Sequence, residues 1–539
     1  MNKDNIHSYH NFLFPFKWEL KGSSDKASLS KRTDLSKIEH CIDFDFWEKF
    51  KFDFKATPTH HTYNDYFYFY NAVRDVLNKG YPHDIRKQKK ANNAISGLQY
   101  QYKEVKLTNA KYSIAIKNKA TLQLNISDIL LNFYENGVGV FTFQLYNTEH
   151  STFDEILNIN EFGRRICPQF LDINTFYVDE SKRSFLADTI SLENINSPKG
   201  FSIIEDFSYY NLNTNLQQAP FKIPNHIQYL MGDKFSGDAD NPDAAIILSP
   251  ILDDRMFVMS YYINDEMCLK LKANNSETKV EPAYKNSVEW YKYIFVDTSF
   301  VTCQSKDMLK ELITKATYDR WIFNLEEDDL QKPDCQLFGL SRYSFNAIVN
   351  RGDYTTGIVS THFQNMYFEL TLLCLIQRAY LINFGNEIAR ITALIEEKQS
   401  NLPRLKQDIS NLYLLYIKFV NRVFFREVTP QEQGIELYAL LQQQMNLKQD
   451  MKDLGREMNE LNTYVETYEQ SYLNKIATLF LPISLVVGLL GMSTIGTTDT
   501  GEKGPWYENL FEFFSFATIP FALAITAYCF YYLIKTWKK

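Results

Sequence analysis

The spacing of hydrophobic positions changes character along the chain. Short apolar runs broken by polar turns occupy roughly the first two thirds, helical spacing follows, and two long apolar runs come near the end. The clearest strand signal is ATLQLNISDILLNFYENGVGVFTFQLYN, residues 120–147. Its apolar runs flank Glu135-Asn136-Gly137. This predicts a strand, a turn at Asn136-Gly137, and a second strand starting with Val138, Val140, Phe141 and Phe143. Residues 151–170 predict a helix through Phe153, Ile156, Leu157, Ile159 and Phe162, followed by the adjacent pair Arg164-Arg165. AAIILSP (244–250), RMFVMSYYI (255–263) and VEWYKYIFVD (288–297) read as strands, with Asp253-Asp254 at a turn or strand end between the first two. Lys306 to Asn324 returns to helical spacing. The first 35 residues read as a weakly folded start, or a strand followed by a loop. Alternating strands and helices predict an α/β or α+β domain over 1–355.

Strand signals stop near Val349. From Thr361 to Glu397 a helical face repeats through Phe363, Met366, Tyr367, Leu370, Leu373 and Ile376, and Leu405 to Phe425 follows a break at Asn401-Leu402-Pro403. These predict antiparallel helices over 356–429. Thr429-Pro430 supplies a cap and a first helical position for a long helix over 430–475. Its stripe is Leu447, Met451, Leu454, Met458, Leu461, Val465, Tyr468 and Tyr472, a seven-residue repeat. The repeat favours helices bundled about an axis over a helix packed on its own domain, with Gly434 and Gly455 as flexible points. Ile476–Met492 carries no charge and Leu510–Ile534 carries only Glu512. These runs predict two transmembrane helices, 476–492 and 510–534, joined by an outward loop over 493–509; the alternative is a buried helical hairpin. Lys535, Lys538 and Lys539 form a basic tail over 535–539, so both termini are expected on the cytoplasmic side of the cell inner membrane. No apolar run near Met1 serves as a signal peptide.

Composition narrows the function classes. The formal net charge of −8 over 539 residues argues against nucleic acid as a bulk partner. Seven scattered cysteines offer no zinc or redox spacing. His60 and His61 are adjacent and point opposite ways on a strand, and the aspartates between Gly232 and Asp243 fail the calcium-loop spacing, so no metal ligand set is assigned. No phosphate loop or nucleophile elbow is present. The chain is expected not to be an enzyme and to have no resident cofactor; an enzyme acting on a nucleotide is the weakest reading.

Ser484, Gly488 and Gly491 form a small or polar strip, extended by Leu481, Ala477 and Leu473. Such a strip suits close helix contact or a narrow pore. A long helix running into an apolar segment that ends in Gly491-Met492, followed by a second apolar segment and a basic tail, resembles the CorA magnesium transporter family. In that family five subunits surround a pore and the signature is Gly-Met-Asn; here Ser493 replaces the asparagine. NFYENGVGVFTFQLYN, SPILDDRMFVMSYY and FFREVTPQEQGIELYALLQQQMNL resemble the divergent CorA-like proteins associated with type III CRISPR systems. The resemblance implies a pentameric membrane funnel with Leu473, Ala477, Leu481, Ser484, Gly488, Gly491, Met492 and Ser493 lining the pore. It implies a channel or effector gated by a nucleotide-derived small molecule, of which an S-adenosylmethionine–AMP conjugate is one form in that branch, with a divalent cation transporter as the alternative. For such a ligand, Arg164 and Arg165 are the candidate phosphate contacts and Asp253 and Asp254 the candidate polar contacts. The competing reading of all four is ordinary ion pairing.

Overall fold

The computed structural model describes residues 5–23, 27–50, 67–77, 97–166, 186–207, 223–253, 255–272, 282–298, 301–321, 335–396, 402–495, and 524, 527, 528 and 531. The chain divides into two units, Met1–Arg456 and Glu457–Lys539. The first is built around three long strands: β1 (Ser8–Leu20), β5 (Leu122–Tyr134) and β6 (Val138–Asn147). They pair antiparallel in the order β1-β6-β5, with Asn136-Gly137 closing the β5–β6 turn and Gly137 at φ +72°. That positive φ is why glycine stands there.

Each outer flank of this trunk divides between two sets of neighbours. Beside β1, the Ser8 half pairs with β11 (Phe257–Ile263), which continues through β14 (Ser344–Val349) and β13 (Gln336–Leu340) to β12 (Thr317–Trp321). The Leu20 half pairs with β10 (Ile246–Pro250), itself paired with β9 (Phe235–Ser236). Beside β5, β4 (Lys111–Ala115), β7 (Thr189–Ser197) and β8 (Gly200–Asp206) follow one half, and β3 (Gly97–Tyr102) with β2 (Trp47–Lys49) follow the other. The result is a single mixed sheet of fourteen strands among the described residues.

Pro15 lies in the middle of β1, where proline would normally cost a ladder bond. Trp18 donates to Gly137 O and Lys21 to Ala245 O, so even positions bond to β6 and odd positions to the other flank. Pro15 therefore turns its nitrogen toward that flank. There Leu13 is the last residue paired with β11 and Phe16 the first paired with β10. The missing donor falls in the gap between neighbours.

Successive β1 side chains face opposite layers. His10 meets Asn160 of helix α1 (Phe153–Gly163), while Tyr9 packs toward Tyr261, whose ring meets Phe363. The α1 layer also holds α2 (Asn225–Met231), α3 (Asp265–Lys272), α4 (Val288–Phe295) and α5 (Lys306–Ala316) packed about the remaining core. On the other side, α6 (Phe368–Glu396) lies against β1 and β6, and α7 (Leu402–Arg422) and α8 (Glu432–Gln444) pack on α6; α9 (Leu447–Ile495) follows in sequence.

Several expectations are corrected. VEWYKYIFVD is helix α4, not a strand: Ser287 caps it through the Trp290 amide, and Trp290, Tyr291, Tyr293 and Ile294 are buried. The helix expected to run unbroken from Pro430 is interrupted at Asn446, which adopts φ +59° between α8 and α9. Thr429 is buried and donates to Tyr68 O. Leu447, Leu454, Met458 and Leu461 are already buried in the isolated chain, so the first part of the seven-residue stripe does not need other copies to cover it. Gly455 is a packing residue, since a Cβ there would lie 2.9 Å from the Tyr416 hydroxyl of α7.

No helix among the described residues is long and apolar enough to cross a membrane. The uncharged run 476–492 is the C-terminal part of α9. At 1.5 Å per residue it covers about 25 Å, short of the roughly 30 Å hydrocarbon core, and Asn474 and Lys475 precede it directly. The run 510–534 lies outside the described residues except at 524, 527, 528 and 531. This overturns the CorA-like funnel, the transmembrane stalk, the channel, effector or transporter function, the bilayer as partner and the inner-membrane location. The large mixed sheet is a different architecture from that funnel.

One buried ion cluster ties the N-terminal segment to α6. Arg32 bridges Glu19 and Glu387, and Arg390 Nε bonds Glu387 at 3.0 Å; Arg32 and Glu387 are nearly fully buried. Removing one member of such a pair strands a charge. Glu387→Ala should lower unfolding free energy by about 3–5 kcal/mol, while the double change Arg32→Met with Glu387→Leu should recover most of it. Urea midpoints of the three proteins check this; equal midpoints for Glu387→Ala and the unmodified chain would refute it.

Candidate functional site

Four separate pieces of chain converge at the C-terminal end of α1. A capping box between Thr152 and Glu155 starts that helix, and Gly163 ends it against β1, where a Cβ would come 2.6 Å from the Phe12 ring. Glu161 in the last turn stands three and four residues before Arg164 and Arg165, so one carboxylate reaches both guanidinium groups. Arg164 Nη2 donates to Glu161 Oε2 at 3.1 Å, and Arg165 Nε donates to Oε1 at 2.7 Å. Arg164 Nη2 also donates to Val296 O at 3.0 Å. Val296 sits in the left-handed region at φ +51°, which costs a β-branched residue on the order of 1–3 kcal/mol. That strained turn after α4 is what aims its carbonyl at Arg164.

Arg165 forms an isolated antiparallel bridge with Arg255, and Met256 N donates to Arg164 O at 2.8 Å. Arg255 in turn grips Asp253, Nη2 to Oδ2 at 2.7 Å. The third piece is the tip of the β13–β14 hairpin, Ser341–Ser344, closed by Ser341 N to Ser344 O. It carries Arg342, which is exposed, and Tyr343. The fourth is α6, whose Arg378 donates from Nη1 to Arg342 O at 2.9 Å. The Tyr343 ring takes Arg255 at 5.5 Å and Arg378 at 5.2 Å from its centroid.

Among the described residues, five arginines thus meet two carboxylates, Glu161 and Asp253. Burial pushes Arg164 down to about 10; Glu161 opposes the shift, and Arg165 and Arg255 add to it. Burial also lowers Arg378. Both remain charged at neutral pH. Arg164 Nε is buried with no hydrogen-bond partner, an unmet donor beside Arg165 and Arg255.

The sequence candidates fare unequally. Arg164, Arg165 and Asp253 do come together, but Arg164 and Arg165 are buried ion-pair members beneath the surface rather than an exposed clamp. Replacing both with alanine would leave Glu161 buried without its partners, so that change tests folding more than binding. Asp254 lies outside the described residues. Arg255, Arg342, Tyr343 and Arg378 complete the cluster. Arg255 was visible as a neighbour of Asp253; nothing local marks Arg378, which is more than a hundred residues further on. The former pore strip is spread along α9: Leu473, Ala477, Leu481 and Ser484 are exposed, Ser484 Oγ donates to Phe480 O at 2.8 Å, and Gly488, Gly491, Met492 and Ser493 continue the same helix. With the membrane assignment overturned they line no pore. Among the described residues no group of acidic, histidine or cysteine side chains is placed to hold a metal ion.

A second arrangement escaped the sequence altogether. Ser8 Oγ lies 2.8 Å from His10 Nε2, and His10 Nδ1 lies 2.7 Å from Asn160 Oδ1. The order hydroxyl, imidazole, amide is that of a nucleophile, base and orienting group. All three are fully buried, and Asn147 Nδ2 donates to Ser8 Oγ at 2.8 Å. The trio is a buried polar seam between β1 and α1, in which Asn160 Nδ2 has no hydrogen-bond partner.

Comparison with known proteins adds no assignment: no family model, no curated protein and no solved structure matches the chain.

Burial holds His10 down to about 4 and His226 down to about 3; His226 stacks on Phe143 at 5.9 Å with neither ring nitrogen bonded. Both are neutral in the folded state. Below about pH 6.5 the unfolded chain takes up protons that the folded chain does not, so stability falls with acidification until the folded pKa values are reached. Each histidine should contribute about 1.4 kcal/mol per pH unit between roughly pH 6 and 4. His226→Phe should lower the pH slope of stability by about 1.4 kcal/mol per pH unit over this range, without lowering stability at pH 7. Denaturant midpoints across this pH range test the prediction, and an unchanged slope would remove His226 from it.

Proposed function

We propose that the chain is a binding protein whose arginine cluster takes a phosphate-bearing small molecule at the tip of the β13–β14 hairpin. The observation that carries this reading is the gathering of Arg164, Arg165, Arg255, Arg342 and Arg378 from four parts of the chain around the Tyr343 hairpin tip, with Arg342 exposed there. Guanidinium groups meet phosphate oxygens bidentately through a planar fork, and the Tyr343 ring contacts two of them. Arg164 and Arg165 serve as the base of the site. Their pairing with Glu161 fixes the lead-in to β11, and their field adds to that of the outer arginines.

Binding rather than catalysis is the better reading of the polar groups in hand. The one nucleophile-like arrangement, at Ser8, His10 and Asn160, is sealed inside the fold, and its hydroxyl already has partners on two sides.

Arg342 is exposed, so its side chain can be removed without opening the core. A charge-assisted hydrogen bond to phosphate is worth about 1.5–3 kcal/mol. Arg342→Ala should therefore weaken pyrophosphate binding by roughly tenfold or more while the melting temperature stays the same. Calorimetric titration of the full chain with pyrophosphate, at low and at 0.5 M salt, measures this. Affinity that is unchanged in the variant, or no saturable binding by the unmodified chain at low salt, would defeat the proposal.

A further inference from the structure

A cleft of about 520 Å³ opens elsewhere on the sheet, lined among the described residues by Phe44, Trp47, Glu48, Lys49, Gln101 and Lys103. Its volume falls in the range of small-molecule sites. Glu48 of β2 and Gln101 of β3 are direct cross-strand partners, which puts their side chains next to one another on one face. The two lysines are committed elsewhere. Lys49 pairs with Glu39 at 2.7 Å, and Lys103 Nζ donates to Phe44 O at 2.6 Å, which pins the loop that carries Phe44. The acceptors are in the opposite condition. Glu48 has no ion-pair partner among the described residues. Gln101 spends its amide nitrogen on Asp128 Oδ2 at 2.8 Å, which leaves its carbonyl oxygen for a donor.

A third acceptor stands behind these two. The β5–β6 ladder shifts register between Ile126 and Asp128, and the irregularity places Asp128 beside Gln101. Asp128 Oδ1 accepts from the Ile129 amide at 2.8 Å. Its other neighbours are Glu48 from β2, Glu104 from the turn after β3, and the uncharged Gln144 opposite it on β6. Burial, with Glu104 and Glu48 adding to it, pushes Asp128 up to about 7. Two further carboxylates thus stand close enough to Asp128 to raise its proton affinity, and this end of the sheet is rich in negative charge. The Phe44 ring is 44% exposed, an aromatic face at the same cleft.

We propose that the β2–β3 cleft binds an organic ammonium ion, with Glu48 and the Gln101 carbonyl accepting its N–H groups and Phe44 covering its apolar part. An ammonium supplies three donors and no acceptor, which matches the vacancy in hydrogen bonding, and an exposed aromatic face attracts cations. Asp128 sets the field of the site through Gln101 and is a positioning residue.

Phenethylammonium is the probe and 2-phenylethanol its uncharged isostere, each titrated into the full chain by calorimetry. The ammonium should bind at least tenfold more tightly than the alcohol. Glu48→Gln and Phe44→Ala, both at exposed positions, should each weaken ammonium binding several-fold or more with the melting temperature unchanged. Affinity for the ammonium should rise between pH 6 and pH 8 as Asp128 ionises, and Asp128→Asn should flatten that rise. Equal affinities for ammonium and alcohol, no saturable binding of the ammonium at millimolar concentration, or binding indifferent to Glu48→Gln would each overturn the proposal.

Discussion

The fold depends on the pairing of β1. An N-terminal strand of thirteen residues lies at the centre of the sheet, bonded to β6 along most of its length and shared on its other flank between β11 and β10. Its partners lie more than a hundred residues away in sequence, so the central ladder is assembled from distant contacts whose chain-closure entropy must be met before they stabilise anything. What offsets that cost is concentrated on one face. Phe12, Phe14, Phe16 and Trp18 are all nearly fully buried, and Trp18 and Phe16 meet Phe133 edge-on. Aromatic pairs of this kind contribute about 0.5–1.5 kcal/mol each beyond the area they bury. The opposite flank tolerates Pro15 only because the neighbouring strand changes there.

That architecture was partly legible in the sequence. β5, the Asn136-Gly137 turn and β6 follow from local chemistry alone, because a turn demanding positive φ sits between two apolar runs. β10 and β11 were also visible as short apolar runs. β1 was legible only as one of two alternatives, a strand or a weakly folded start, because its central proline and interspersed polar residues imitate a loose terminus. Ser8 and His10 are buried not by hydrophobicity but by a polar seam whose other members, Asn147, Asn160 and Ser260, are supplied from afar. The α4 segment failed in the reverse direction. Four closely spaced aromatic residues in VEWYKYIF have strand-like composition, yet a Ser287 cap and burial on a 3.6-residue period make it helical. Apolar content misled most at 476–492, where a run of seventeen uncharged residues imitates a membrane span while forming the end of a longer, otherwise polar helix.

The candidate site repeats the lesson at the level of chemistry. Adjacency of Arg164 and Arg165 was visible, and a helix ending just before them was predicted. Their true partner, Glu161, lies within one helical turn, but nothing in the sequence says whether that turn faces water or the core. Burial decides the role: an exposed arginine pair can receive a ligand directly, whereas a buried one must first be paid in hydrogen bonds by its own fold. Arg378 and Tyr343 belong to the site only because α6 crosses the sheet beside the β13–β14 tip.

These features make electrostatics local. The whole chain carries a net charge of −8, so its long-range field repels an anion. At physiological ionic strength that field is screened beyond roughly 8 Å, and what an approaching phosphate meets at short range is set by the nearest few groups. Glu161 lies beneath, spent on Arg164 and Arg165. Asp253 is held by Arg255. Facing outward is Arg342, with the half-buried Arg255 beside it on the Tyr343 ring and Arg378 buried behind, an arrangement that offers positive charge at the surface while keeping these carboxylates underneath. Burial of the inner pair is then what allows the outer residues to remain exposed: the ion pairs fix the backbone around Arg255 and Met256, and the hairpin tip is held against that backbone by Val258 N to Tyr343 O at 3.1 Å. A cationic surface inside an acidic protein can persist in one geometry only if its positive groups are anchored from below, and the Glu161 pairing supplies that anchor.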